Sequence, residues 1–266
     1  MTVKLVDSQP GTIISIALHI FRSEPKEYLS LAGLAFLWSL LPIYGWAKSN
    51  QMAAVISVKA YQKLVGIEES TKDIARRLNR KLWSFWALNI LGGFYVSFVN
   101  LVCLFILFLL NDLIFRWADK FFSRDSFGIS LLLGFMTFLA SLQVFLLTSG
   151  LFFWLYGRVC FAELPLALEP DRSVFGSIAR SWHLSRGRGR KIQTIFSIGS
   201  IILSVLLFNL PSLFFTSLMV IAGGGWLIYI FFWSLFVALL QILKAVIYYD
   251  LRCFREGIDL RLAVNK

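Results

Sequence analysis

Residues 158–191 read RVCFAELPLALEPDRSVFGSIARSWHLSRGRGRK and lie between two long apolar runs. The stretch carries seven Lys/Arg against three acids, and its middle has the periodicity of an amphipathic helix. A basic, helix-forming loop between hydrophobic runs fixes the side of a membrane it faces. Every other segment is placed relative to it.

Outward from that loop the charges disappear. Four stretches contain no Asp, Glu, Lys or Arg: Tyr28–Ala47, Leu82–Asn111, Ser126–Gly157 and Ile192–Leu243. A helix needs about 20 residues to cross a hydrocarbon core of about 30 Å. The first three runs supply one span each. The last is 52 residues long and holds Pro211 and Gly223-Gly224-Gly225, so it reads as two spans joined by a tight turn. Composition agrees, with 58% hydrophobic, 16% aromatic and only 15% charged residues, against about 25% charged in soluble domains. The expected fold is all-α: a polytopic transmembrane bundle of about five spans with amphipathic interfacial helices, forming one integral membrane domain over 1–266. The spans fall near 28–47, 82–111, 126–157, 192–216 and 226–248.

Five spans put 48–81, 158–191 and the tail from Lys244 on one face, and 1–27, 112–125 and the Gly turn on the other. The first face then holds 20 Lys/Arg and the second 6, with three acids in each charged segment. The whole net charge of +11 falls on the first face. That face is expected to be cytoplasmic, with the N-terminus outside and the C-terminus inside. Basic loops at this position are expected to contact anionic lipid headgroups. No nucleic-acid partner is expected, because no recognised nucleic-acid-binding fold accompanies the charge.

Residues 1–27 are expected to form an outer interfacial helix, with Ile13, Ile16, Ala17, Ile20 and Phe21 on one stripe. The apolar run Thr12–Phe21 is only ten residues and no small-residue cleavage site follows it before Arg22, so no secretory signal is expected. Pro42 should kink the first span rather than end it. The segment 48–81 reads as cytoplasmic, its helix running along the membrane surface to Gly66 and restarting at Ser70-Thr71-Lys72-Asp73. Arg76, Arg77, Arg80 and Lys81 then meet the headgroups, and Trp83 and Trp86 mark re-entry. Asn89 and Asn100 share a helix face with Gly92 and Gly93, which suits close helix packing; a polar transport path is the alternative.

Within the opening stretch, Pro165 and Pro170 bracket an irregular or partly re-entrant segment, Glu163–Glu169. A helix is expected from Ser173 to about Ser185, with Val174, Phe175, Ile178 and Trp182 as its apolar face. Gly187 and Gly189 end it, and Arg186, Arg188, Arg190 and Lys191 meet the headgroups. Lys244 is expected to snorkel to the inner headgroups, and 249–266 to form a cytoplasmic tail. Ile74-Ala75-Arg76 and Ile178-Ala179-Arg180 match, each ahead of a basic patch and a new span, the one trace of an internal repeat.

ELPLALEP with SIARSWHLSRG, and KAVIYYDLRCFREGIDL near the end, carry a family resemblance. Pro165, Leu166, Ser181, Trp182, Leu184, Ser185 and Gly187 fit one signature. Tyr248, Asp250, Leu251, Arg252, Arg255, Glu256, Gly257, Asp259 and Leu260 fit a second, with Phe254 a departure from its usual basic pair. The chain resembles a group of prokaryotic multi-pass proteins, themselves similar to the membrane domain sometimes fused to glycerophosphoryl diester phosphodiesterases. The resemblance implies a helical membrane domain in a prokaryotic plasma (inner) membrane, or an internal membrane derived from it. The catalytic barrel is absent, so no phosphodiesterase activity is carried over.

Chemistry is sparse. Glu163 and Glu169 are separated by Pro165 and read as cap or ion-pair residues rather than an acid–base pair. His183, Cys160 and Cys253 lack the paired spacing of metal ligands, and the three cysteines suggest no disulfide framework. No Gly-rich phosphate loop or nucleophile elbow is present. No cofactor is expected. Asp250 and Arg252, with Arg255 and Glu256, are expected to lock the fifth span to the 158–191 loop through Arg180 or Glu169. Glu163, Trp182 and Tyr248 belong to the same inner-face set. The expected function is that of a non-catalytic organising or partner-binding membrane protein contacting anionic lipids. A transporter or permease-like component for a lipid or small apolar solute is the alternative. Coupled carriers usually keep a charge inside a span, and none of the expected span interiors has one.

Overall fold

The computed structural model describes residues 9–67, 69–121, 135, 139, 142–143, 150–152, 154–169, 171–189, 191–192, 194–195, 199 and 225–257. Among them the fold is all-α. The helices are α1 (Pro10–Ser23), α2 (Pro25–Ser39), α3 (Tyr44–Val65), α4 (Thr71–Asn79), α5 (Leu82–Phe121), α6 (Glu163–Leu168), α7 (Val174–Ser185) and α8 (Gly225–Glu256). Three segments are long and apolar enough to cross a membrane: Leu82–Ile106, Gly150–Leu168 and Ile230–Glu256. They mark a membrane-embedded protein. The chain divides into two compact units, Met1–Ile90 with Gly157–Lys266, and Leu91–Tyr156.

The first expected span, 28–47, is not one helix. α2 starts at Pro25, whose fixed φ and missing N–H suit the first helical turn, and it stops at Ser39. The chain then reverses through 40–43, where Pro42 has no N–H to continue the ladder and Ile43 takes φ 58°. Gly45 closes the turn: a Cβ there would overlap the Trp38 carbonyl oxygen and stand 2.5 Å from Leu41 Cβ. Pro42 therefore helps end a helix rather than kink one. α3 runs back against α2, and at the open end of this hairpin Lys63 Nζ lies 2.6 Å from Glu24 Oε1. Lys59 pairs with both Glu24 and Glu27.

These ion pairs hold 24–27 beside 59–63, which the sequence reading does not bring together. Nor does α3 run along a surface. It packs against α2 and α8, and Gln51, Val55, Ser57 and Tyr61 are buried on different sides of it. It ends as expected at Gly66, in the left-handed conformation. α1 buries Ile13, Ala17 and Ile20 of the expected stripe, packing on α8 and α2.

Two more contacts join residues that flank apolar runs. Lys81, ahead of α5, donates to the carbonyl oxygens of Leu166 (2.9 Å) and Glu169 (3.3 Å), which end α6. Lys191, ahead of the last apolar run, stands 3.5 Å from Asp250 near the end of α8.

Other boundaries shift. α5 runs 40 residues, about 60 Å at 1.5 Å per residue, so 112–121 continue the helix instead of starting a loop. Its apolar side chains are exposed on several sides, Phe94, Phe98, Leu101, Phe105 and Phe108 among them. Residues 163–168 form a helix with Leu164 to Ala167 buried, not an irregular segment, because the preceding turn at 160–162 lets the chain restart ahead of Pro165. α8 continues to Glu256, so Asp250 to Glu256 are its last turns and not a tail. The expected spans 126–157 and 192–216, and the turn at Gly223–Gly224, fall mostly outside the described residues.

Candidate functional site

α7 begins where expected, with Ser173 Oγ accepting from the Gly176 amide at 3.1 Å. Its buried side lies beside the expected apolar face and is made largely of serines. Ser177, Ser181 and Ser185, spaced by four, are buried with Leu184, whereas Phe175 is 72% exposed. Small hydroxyl side chains allow close approach, and Ser181 Oγ donates to the Arg158 carbonyl at 2.5 Å. The apolar residues Phe175, Ile178 and Trp182 are left on the outer side. Trp182 lies 4.5 Å from the Arg158 guanidinium.

Arg180, at the edge of that face, reaches two carboxylates. Its Nε donates to Glu169 Oε1 at 3.0 Å, and its Nη2 to Glu256 Oε1. Arg172 Nε closes on the other Glu169 oxygen at 2.7 Å, and Arg252 Nε on Glu256 Oε2 at 2.9 Å. Arg252 also donates to the Tyr61 hydroxyl of α3 at 2.9 Å. Tyr248, fully buried, stacks its ring 5.7 Å from that of Tyr61. Charges thus alternate through five groups, Arg172 and Glu169 from the connection between α6 and α7, Arg180 from α7, and Glu256 and Arg252 from α8. Such charge-assisted bonds hold geometry more than they add stability.

Asp250 does not join this chain. It is 2% exposed and faces Arg188 Nη1 at 3.2 Å and Lys191 Nζ at 3.5 Å. Arg188 packs over the Phe254 ring at 3.5 Å, and Arg255 donates to the Arg186 carbonyl. Gly187, at φ 87°, turns the loop so that it wraps the end of α8. The expected headgroup set therefore divides. Arg188 and Lys191 are turned inward to Asp250, and Lys81 caps α6, because each meets a buried acceptor closer than the membrane surface. Arg76, Arg77, Arg80 and Arg186 are exposed, and Arg190 lies outside the described residues.

Glu163 stands apart from the inner network, and Lys244 does not snorkel. Lys244 is 6% exposed and its Nζ is 3.2 Å from Glu163 Oε1. It lies in the 27-residue apolar segment Ile230–Glu256. Ser57 of α3 and Gln241 of α8 complete the cluster, with Ser57 Oγ 3.2 Å from Glu163 Oε1 and 2.8 Å from Gln241 Oε1. The sequence argument that no span holds a charge fails here, since Glu163 and Lys244 each lie in a candidate span. Ser57 and Gln241 were passed over; an amide in an otherwise apolar run was the available signal. Asn89 donates to Asn50 of α3 at 3.1 Å, an interhelical bond; the Asn100 side chain lies outside the described residues.

No family model, curated protein or solved structure matches the chain. Among the described residues, no three His, Cys, Asp or Glu side chains are grouped to hold a metal.

At the open end of the α2–α3 hairpin, hydrogen bonds from Lys59 and Lys63 hold the Glu24 carboxyl down to about 2 from its ordinary 4.5. A carboxyl lowered on folding stabilises the fold above its unfolded value, and that contribution is lost as pH falls from about 4.5 through about 2. Acid titration followed by helical circular dichroism should show the Glu24→Gln protein losing less stability over this window than the natural chain. Equal losses would mean the pair does not hold the hairpin.

Proposed function

We propose that this chain is a non-catalytic integral membrane protein, an organising or partner-binding factor whose basic face contacts anionic lipid. One observation carries the reading, the order of exposed side chains along α4 and α5. Arg76 (81% exposed) and Arg80 come first, Trp83 follows, and then the exposed apolar side chains Ile90, Phe94 and Phe98. α4 buries Ile74 and Leu78 beneath its cations. Cation, tryptophan and hydrocarbon in that order is what a headgroup layer, an interface and a lipid core require.

The same reading gives three out-and-back excursions and an even number of crossings. The inner face then holds 23 of the 26 Lys/Arg, with only Arg116, Lys120 and Arg124 opposite. The segments that carry the family resemblance are two sides of one clasp. Ser181, Trp182 and Gly187 lie on one, and Tyr248, Asp250, Arg252, Arg255 and Glu256 on the other. Motifs of this kind imply shared architecture and no enzyme activity.

Phosphatidylglycerol titrated into the detergent-solubilised protein should bind more tightly than phosphatidylcholine, read by native mass spectrometry. At about 1 kcal/mol per cation, Arg76→Gln with Arg80→Gln should weaken that preference about 30-fold. A preference untouched by the double substitution would remove the lipid-contacting face. The paired charges Glu163 and Lys244 favour a second reading, a carrier component, for which solute flux in proteoliposomes is the test.

A further inference from the structure

Two opposite charges within apolar segments are costly to bury, and hydrophobic residues of similar volume often serve stability as well or better. An ionisable residue at that depth is a functional candidate by default. The cluster around Glu163 has a further property. Ser57 Oγ has one hydrogen and three acceptor oxygens in reach: Glu163 Oε1 at 3.2 Å, Gln241 Oε1 at 2.8 Å and the Gln241 carbonyl at 3.3 Å. With the hydroxyl donated to the nearest, Gln241 Oε1, the oxygens of Ser57 and Glu163 face each other with no hydrogen between them.

We propose that Glu163, with Ser57, Gln241 and Lys244, is a proton-binding site within the helix bundle. The hydrogen-bond chain has two directions. With Glu163 ionised, the Gln241 amide turns over, its N–H donates to Ser57, and Ser57 donates to Glu163. With Glu163 protonated, the carboxylic acid donates to Ser57, Ser57 donates to Gln241 Oε1, and no acceptor is left without a hydrogen. The two states differ by one proton, taken from and returned to water.

Lys244 sets the affinity. Its ammonium, 3.2 Å from Glu163 Oε1, favours the ionised carboxylate, whereas burial favours the neutral acid. The described groups facing Glu163 are Lys244 from α8, Ser57 from α3 and the Cys160 thiol from the turn ahead of α6. Glu169 and Glu256 are each bonded to arginines and lie outside this cluster, and they are the natural controls.

The test is an infrared difference titration of the full chain in nanodiscs of phosphatidylcholine and phosphatidylglycerol. Acidification should raise a carboxylic-acid carbonyl band that persists in Glu169→Gln and Glu256→Gln and is lost in Glu163→Gln. Because Glu163→Gln leaves Lys244 unpaired, the paired change Glu163→Gln with Lys244→Met is measured beside it and should also lack the band. Ser57→Ala keeps both charges but breaks the chain, and should move the band's midpoint by about one pH unit, tenfold in proton affinity. No titrating band in the natural chain, a band surviving in both Glu163 variants, or an unmoved midpoint in Ser57→Ala would each overturn the proposal.

Discussion

Reporters fused to the two ends of this chain will answer from the same compartment. The contacts that require it are short and lie at one end of the bundle. Glu24, ahead of α2, pairs with Lys59 and Lys63 at the end of α3. Tyr61, between those lysines, accepts from Arg252 near the end of α8. Arg252 and Arg180 share Glu256, and Arg180 also holds Glu169, whose carbonyl takes Lys81 ahead of α5. An ion pair cannot reach across a hydrocarbon core of about 30 Å, so the α1–α2 junction and the end of α8 share a face. Paired alkaline-phosphatase and fluorescent-protein fusions at each end give the measurement. Only the fluorescent fusions should be active if the basic face is cytoplasmic. Opposite answers from the two ends would break the hairpin reading of 25–65.

Replacing Asp250 will cost more than replacing any exposed charge. Asp250 is nearly sealed and lies between Arg188 and Lys191, themselves largely covered. Asp250→Asn removes the anion and leaves two cations facing each other in a medium that screens them poorly. Breaking a buried pair from one side typically costs about 3–5 kcal/mol, so the unfolding midpoint in detergent should fall by roughly 10 °C. Charge reversal to Lys should exceed that. Asp73→Asn is the control, since Asp73 is exposed and 3.7 Å from an exposed Arg76; its effect should stay within about 0.5 kcal/mol. Tryptophan fluorescence during a thermal ramp separates the two. If both variants melt alike, the loop 186–191 does not clasp α8.

Much of the inner face was legible because its residue types have few alternatives. Arg180, Arg252, Glu169 and Glu256 are charges at the ends of apolar helices, and such charges find each other when the helices pack. Asp250 was seen as important but assigned the wrong partners. Its true ones come from a glycine-punctuated loop whose path depends on the positive φ of Gly187. Periodicity marks Phe175, Ile178 and Trp182 as the apolar side of α7, but not which side meets the rest of the protein. Beside a membrane, apolar side chains can face lipid, and the small serines take the protein contact.

What the sequence by itself determined is the class of the molecule and the location of its charge: long uncharged apolar runs admit only helices in a membrane, and basic segments orient them. It could not determine how many times the chain turns back. Residues 1–27 carry three Lys/Arg and three acids, so moving them from one face to the other leaves the net charge of each face unchanged. The tertiary structure folds 25–65 into a hairpin through Pro42, Ile43 and Gly45, its open end closed by Glu24, Lys59 and Lys63. It also decided that Lys244 turns inward, because a lysine near the middle of a long apolar helix finds a carboxylate on its neighbour before it can find water.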